Sequence, residues 1–220
     1  MVKGVIFDLD GTLIDTIEGL ANSVNAAMDF YSFPNHSIEK YRTFVGNGVG
    51  KLVERALPEG KKNLTEDARK IFEKHYAETM LDVLPVYDGI EELLEYLIKN
   101  NIKIAVNTNK MDVFAKPMIK KVFGDIFFDV LGEVDFLSRK PSPDGVNYLL
   151  GKLDLSCDEC LYIGDSQVDI KTARNANMRC VSVTWGFASR EVLIENEPEI
   201  MVNHPREIID LIERENYNAG

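Results

Sequence analysis

Apolar residues along the chain fall into short unbroken runs and longer stretches with a helical period, and the order in which these occur predicts the fold. Val5-Ile6-Phe7 is a compact run of the kind a buried parallel strand uses. A helical period then runs over residues 16–31 through Ile17, Leu20, Val24, Ala27 and Met28, until Ser32-Phe33-Pro34-Asn35 breaks it. A second helical piece covers 38–44, and Gly46-Asn47-Gly48-Val49-Gly50 forms a loop. A third helix carries Leu52, Val53 and Leu57, and a longer one over 65–81 has Ile71, Phe72, Tyr76 and Met80 on its apolar face. No strand signal occurs between Asp15 and Val83, so this part is predicted as an all-helical insertion.

From Asp88 onward helices and strands alternate. Helices are predicted over 89–99, 113–122, 168–176 and 206–213, and strands over 102–107, 127–131, 160–164 and 179–184, with a short strand at 200–202. A further helix opens at Ser142-Pro143, with Ser142 as cap and Pro143 at the first helical position. Strands alternating with helices imply a mainly parallel sheet with right-handed crossovers.

Composition narrows the partners. The 220 residues suffice for one well-buried α/β domain and a smaller accessory one. The net charge of −11 repels nucleic acid and anionic membrane, so an anionic substrate must be drawn in by a local cation. No apolar stretch approaches a membrane span and no leader precedes the first strand, which gives a cytoplasmic expectation. Cys157 and Cys160 form a lone C-x-x-C without a second pair or a suitably spaced histidine, so zinc is not expected; Cys160 and Cys180 read as small core residues. His36, His75 and His204 share no spacing and read as surface or packing residues.

Candidate chemistry begins where the first strand stops. Asp8 and Asp10 stand at its mouth, and if the backbone stays extended through Leu9 they project to the same side. Gly11 permits a sharp turn, and Asp15 with Glu18 resembles a capping signal for a helix beginning near Thr16. Two close carboxylates call for a cation, and hard oxygen ligands suit Mg²⁺. Parallel sheets bind ligands outside the carboxyl ends of their strands. The other candidates are therefore Thr108 and Asn109, Lys140, Asp165 and Asp169, and Trp185-Gly186. Each alone has an ordinary reading as a turn, cap or surface residue. Together they supply the parts for phosphoryl transfer through a covalent aspartyl phosphate.

Phe7-Asp8-Leu9-Asp10-Gly11-Thr12-Leu13 resembles the first motif of the haloacid dehalogenase-like superfamily of phosphohydrolases. Val106-Asn107-Thr108-Asn109-Lys110 resembles the second motif, Lys140-Pro141-Ser142-Pro143-Asp144 the third, and Gly164-Asp165-Ser166-Gln167-Val168-Asp169 the fourth. The resemblance implies Asp8 as nucleophile and Asp10 as general acid and base. It implies Asp8, the backbone carbonyl of Asp10, and Asp165 as Mg²⁺ ligands. Thr108, Asn109 and Lys140 would bind the phosphate, and Asp169 would orient the lysine or metal waters. The expected fold is α/β, with a Rossmann-like parallel core over 1–14 and 84–220 and an all-helical cap domain inserted over 15–83. Asn177 stands where the family usually has Gly, and it tolerates the left-handed conformation a helix end needs. Asn107 is more polar than the family's usual residue.

The second aspartate distinguishes phosphatases and mutases from dehalogenases. The stretch over 43–57 is similar to that of phosphoglycolate phosphatases, as is Thr184-Trp185-Gly186-Phe187. This implies hydrolysis of a small phosphorylated metabolite, foremost 2-phosphoglycolate, by a monomer or homodimer. Free amides around Gly48 would bind its carboxylate, with Arg42, Lys51 and Arg55 as candidate helpers. Alternatives are a pyrophosphatase or broad-specificity phosphatase, a β-phosphoglucomutase-like mutase, and a non-catalytic binding module.

Overall fold

The structure, a computed structural model, describes residues 1–218. Strand β1 (Gly4–Phe7) is buried along its whole length and pairs in parallel with β2 (Lys103–Met111) on one side and β4 (Cys160–Gly164) on the other. Beyond β2 lies β3 (Asp129–Glu133), and beyond β4 lie β5 (Arg179–Val183) and β6 (Ile200–Val202). All pairs are parallel, in the order β3-β2-β1-β4-β5-β6. The chain builds outward from β1 in one direction, then returns to build in the other. Their carboxyl ends splay apart where the direction reverses, between β1 and β4, and a crevice opens there.

Alternation within β1 assigns its residues to opposite faces. Val5 and Phe7 pack with α5 (Ile90–Lys99), α6 (Asp112–Phe123) and α10 (Pro205–Asn218) through Leu93, Ile119 and Ile209. Ile6 packs on the other face with α7 (Asp144–Leu153) and α8 (Gln167–Asn175) through Leu149, Leu153 and Ile170. Such a doubly covered sheet explains why β1 and β4 carry no polar side chain except Tyr162.

Between β1 and α5 the chain forms α1 (Ile17–Phe30), α2 (Ile38–Arg42), α3 (Val49–Ala56) and α4 (Thr65–Thr79), with no strand among them. Its own apolar faces close on each other: Leu20, Val24, Val53, Phe72 and Tyr76 are buried, and Phe72 stacks on Tyr76 at 5.2 Å. The chain enters and leaves this helical segment side by side. Asp15 N donates to Pro85 O at 2.8 Å, and Ile14 bridges Val86.

Several boundaries differ from those expected. Strand β2 continues through Thr108, Asn109 and Lys110, whose polar side chains read as the end of a strand but are buried here. Strand β3 begins two residues later than predicted, at Asp129. Pro143 occupies the N-cap of α7 rather than its first turn, and Ser142 Oγ accepts from Asp144 N at 3.3 Å. A short helix, α9 (Arg190–Glu195), was not foreseen; Ser189 caps it through Val192 N. The capping signal at Asp15 is also altered. Asp15 Oδ1 accepts from Ile17 N at 3.2 Å, but Thr16 occupies the N-cap and makes no side-chain cap bond.

Asn177 follows α8 with φ of 51°, the left-handed conformation expected of it. Asn177→Ala should cost about 1 kcal/mol, because a Cβ without a local hydrogen bond is disfavoured there, whereas Asn177→Gly should be neutral or slightly stabilising. Thermal melts check this: about 2–4 °C separates the two variants if the left-handed strain is real.

Candidate active site

The crevice at the carboxyl ends of β1 and β4 holds the buried charges of the molecule. Asp8 follows β1 and stays in register, its N donating to Ile163 O at 2.8 Å. Its Oδ1 accepts from Leu9 N at 2.7 Å and lies 2.8 Å from Lys140 Nζ. Lys140 reaches in from the loop after β3 and also lies 2.8 Å from Asp169 Oδ1. Asp169 is fixed in turn by Ser166, whose N and Oγ donate to Oδ2 at 3.1 and 2.6 Å. This is the reciprocal capping box of α8, so the local sequence that starts the helix also orients the lysine's partner.

Asp165 follows β4. Phe187 N donates to its Oδ2 at 2.6 Å, and Thr12 Oγ1 donates to Oδ1 at 3.4 Å. Gly186 makes this possible, because a Cβ there would lie 2.3 Å from Asp165 Cβ. Trp185 ties the same loop to the first turn through Nε1 and Thr12 O at 3.1 Å. Asp8, Asp165 and Asp169 each offer a carboxylate oxygen within 4.8 Å of the others. The Asp10 side chain points elsewhere: its Oδ1 accepts from Thr16 Oγ1 at 2.6 Å and from Lys110 Nζ at 2.8 Å.

A cavity of about 470 Å³ lies above these groups. Of the site residues expected from the sequence, Asp8, Asp10, Gly48, Thr108, Asn109, Lys140 and Asp165 line it, whereas Asp169, which stands behind Lys140, and Trp185 and Gly186, which pack beside Asp165 and Thr12, do not. Thr108 Oγ1 accepts from Lys110 N at 3.2 Å. The Asn109 amide donates to Lys140 O at 3.1 Å and to Gly46 O at 3.2 Å, joining the sheet to the helical segment, while its buried Oδ1 has no partner. Arg42 and Arg55 line the cavity, whereas Lys51 is exposed and pairs with Glu54 at 2.6 Å. Gly48 adopts φ of 81°, reserved in practice for glycine, and a Cβ there would lie 2.8 Å from Arg139 Nη1. Asn107 is buried against Gly145 of α7, where a Cβ would lie 2.6 Å from its Oδ1, and its Nδ2 has no partner among the described residues.

Sequence reasoning gave no role to Lys110, Thr16, Tyr162 or the Phe187 amide. Lys110 was legible only as the end of a polar run after Thr108. The others act through a backbone group or a long-range contact that no local pattern carries.

Four carboxylates (Asp8, Asp10, Asp165 and Asp169) meet two ammonium groups (Lys110 and Lys140) in this buried centre. Burial pushes the Asp8 carboxyl up to about 7, with the charge of Asp169 adding to it and Lys140 opposing. Burial likewise raises Asp165 well above the usual carboxylate range, reinforced by Asp169 and Asp8. Burial alone would lower Lys140, but Asp169 and Asp8 outweigh it and hold the ammonium well above its ordinary value. A surplus of hard anionic oxygens is what a divalent cation neutralises, so the donor set fits a divalent metal ion.

A parallel α/β sheet with paired carboxylates and a lysine at its switch point defines a class of phosphate-transferring hydrolases. Residues 5–183 match the haloacid dehalogenase-like hydrolase family, and the chain belongs to that family. It is 32% identical over 216 residues to the phosphoglycolate phosphatase of Yersinia pestis, covering 96% of this chain and 93% of that protein. It is 33% identical to the phosphoglycolate phosphatase of Pectobacterium atrosepticum, covering 96% and 92%. Among solved structures, a predicted phosphoglycolate phosphatase from Haemophilus somnus superposes with a TM-score of 0.87 at 28% identity, covering 96% of this chain and 98% of that one. The protein is a phosphatase, a phosphoric monoester hydrolase acting on a small phosphorylated substrate. No helix among the described residues is long and apolar enough to cross a membrane.

The raised Asp8 and Asp165 carboxyls give the metal-free protein a specific pH dependence. A carboxyl raised on folding contributes stability that is fully present below its unfolded value and is lost as pH rises through its folded one, about 7 for Asp8. Melting of the metal-free protein should therefore fall as pH climbs through that window, and the gain from added divalent cation should be greatest above it. Asp8→Asn should flatten the slope and leave the metal-free variant more stable than the wild type above neutral pH.

Proposed function

We propose that the chain is a Mg²⁺-dependent phosphatase that hydrolyses 2-phosphoglycolate through a phosphorylated Asp8. The observation that carries this reading is Lys140, held 2.8 Å from both Asp8 and Asp169 beside Asp165. A carboxylate attacking a phosphate dianion meets repulsion of about 4 kcal/mol for each pair of unit charges ~4 Å apart at an effective dielectric of 20. Lys140 and a cation held by Asp8, Asp165 and the Asp10 carbonyl would offset it. When bound, the cation would supply charge neutralisation at the phosphate.

In the first step an Asp8 carboxylate oxygen attacks phosphorus, the ester P–O bond breaks, and Asp10 gives its proton to the departing alcohol oxygen. In the second, water attacks the same phosphorus, Asp10 takes a proton from it, and the bond to Asp8 breaks to release phosphate. Thr108 Oγ1, whose own hydrogen is free, would donate to the phosphate oxygens as charge shifts among them, whereas the Asn109 amide, expected to do the same, is engaged by Lys140 O and Gly46 O and would instead position the lysine loop. The helical segment over 15–83 acts as a cap on the core over 1–14 and 84–220, excluding water from the attack.

Recognition of the carboxylate falls to the start of α3 and to Arg55. Arg42 is paired with Asp15 at 3.3 Å, whereas Arg55 is held by neutral oxygens, Phe44 O at 2.6 Å and Asn47 Oδ1 at 2.7 Å. Arg55 therefore lines the cavity with its charge unneutralised, available to a second anion on the substrate.

Two outcomes test the reading. Phosphate release from phosphoglycolate should require Mg²⁺ and fall by at least ~10³-fold in Asp8→Asn; turnover surviving that change would reject the covalent route. Arg55→Met should raise KM for phosphoglycolate roughly tenfold or more while sparing ethyl phosphate, which lacks the carboxylate. Equal losses on both, or preference for pyrophosphate or β-glucose 1-phosphate in the same assay, would reject phosphoglycolate as the substrate.

A further inference from the structure

Lys110 carries a buried charge that the steps above do not use. Its side chain is 3% exposed, and its Nζ lies 2.8 Å from Oδ1 and 3.0 Å from Oδ2 of Asp10. The same nitrogen sits 5.0 Å from the centre of the Tyr76 ring, itself buried against Phe72 and Phe114. A lysine taken this far out of water is retained only where a partner offsets its desolvation, and here the partners are one carboxylate and one aromatic face.

A second observation converges on the same carboxylate. Thr16 occupies the N-cap of α1, where its hydroxyl would ordinarily bind a helix amide, yet it donates instead to Asp10 Oδ1 at 2.6 Å. Oδ1 is thus held by two donors, and Oδ2 has only the longer contact with Lys110. A carboxylate clamped in this way stops rotating about its last bond, and Asp10 lines the cavity in that fixed orientation. The clamp also spans both layers of the molecule: Lys110 comes from β2 of the sheet, whereas Thr16 and Tyr76 belong to the helical segment.

We propose that Lys110 is a positioning residue for Asp10. With Thr16 and Tyr76, it fixes the acid–base carboxylate in its working orientation when the helical segment is seated on the sheet. The proposal rests on the reading of Asp10 as the group that protonates the leaving oxygen.

The experiment measures kcat and KM for wild type, Lys110→Met, Asp10→Asn and the double variant, on phosphoglycolate and on 4-nitrophenyl phosphate, with Mg²⁺ present. Inhibition by inorganic phosphate reports whether the phosphate site stands. Lys110→Met should lower kcat on phosphoglycolate about 10²-fold with KM within ~3-fold, and should lower kcat/KM on the nitrophenyl ester by less than ~10-fold, because nitrophenolate leaves without a proton. In the Asp10→Asn background the same change should matter less than ~2-fold, since a residue acting through Asp10 has nothing left to position. Thr16→Val, which leaves the ammonium in place, should shift the ratio between the two esters in the same direction by a smaller factor, so the result does not hang on Lys110→Met folding. Effects that multiply in the double variant, equal losses on both esters, or a rise in KM for phosphoglycolate alone would overturn the proposal, the last by making Lys110 a substrate contact. If Asp10→Asn itself spares both esters, the failure lies in the acid–base reading beneath it.

Discussion

The structure depends on one ammonium ion held between two carboxylates at the reversal point of a parallel sheet. Lys140 touches Asp8 and Asp169 at 2.8 Å each, with almost none of its side chain exposed. Removing the lysine from such a buried set would leave its carboxylates uncompensated, at a cost of about 3–5 kcal/mol. The arrangement persists because each partner is fixed from outside the triad: Asp8 by the register of β1 on β4, Asp169 by the capping box of α8, and Lys140 by the loop that Asn109 binds.

That constraint propagates outward. Asp165 is held by a loop amide two residues beyond Trp185, and the loop can approach only because Gly186 has no side chain. Asn109 joins the backbone of the lysine to that of the Gly46 loop, so the sheet and the helical segment share one side chain at the cavity. Asp10, two residues from Asp8, is held by a separate cation. Two neighbouring carboxylates thus sit in different electrostatic surroundings, as the proposed mechanism requires of them.

The −11 charge of the chain sets the background against which this centre works. A protein that repels anions overall must attract a phosphate locally, and the lysines, the carboxylates that fit a divalent cation, and Arg55 converge on one cavity. The relatives named phosphoglycolate phosphatase align with 96% of this chain at about a third identity, enough for the family and the reaction class. The walls of the cavity away from the strand ends come from the helical segment, through Arg42, Val45, Leu52 and Arg55, and from the rest of the chain, through Phe114, Phe187 and Val192.

The sequence by itself determined the parallel sheet, the strand-free segment between Asp15 and Val83, and the identity of the charged groups at the strand ends. It could do so because a buried strand, an amphipathic helix and a carboxylate after an apolar run each leave a local mark. It misplaced the end of β2, because Thr108, Asn109 and Lys110 are polar and a linear reading gives polarity to solvent. Only the tertiary structure decided that these side chains are buried around a crevice, that Thr16 leaves its helix cap to hold Asp10, and that Lys110 rather than solvent balances that carboxylate. The physical reason is range: helix and strand patterns arise from residues a few positions apart, whereas the ion pair between Asp10 and Lys110 joins residues 100 positions apart that the sheet alone brings together.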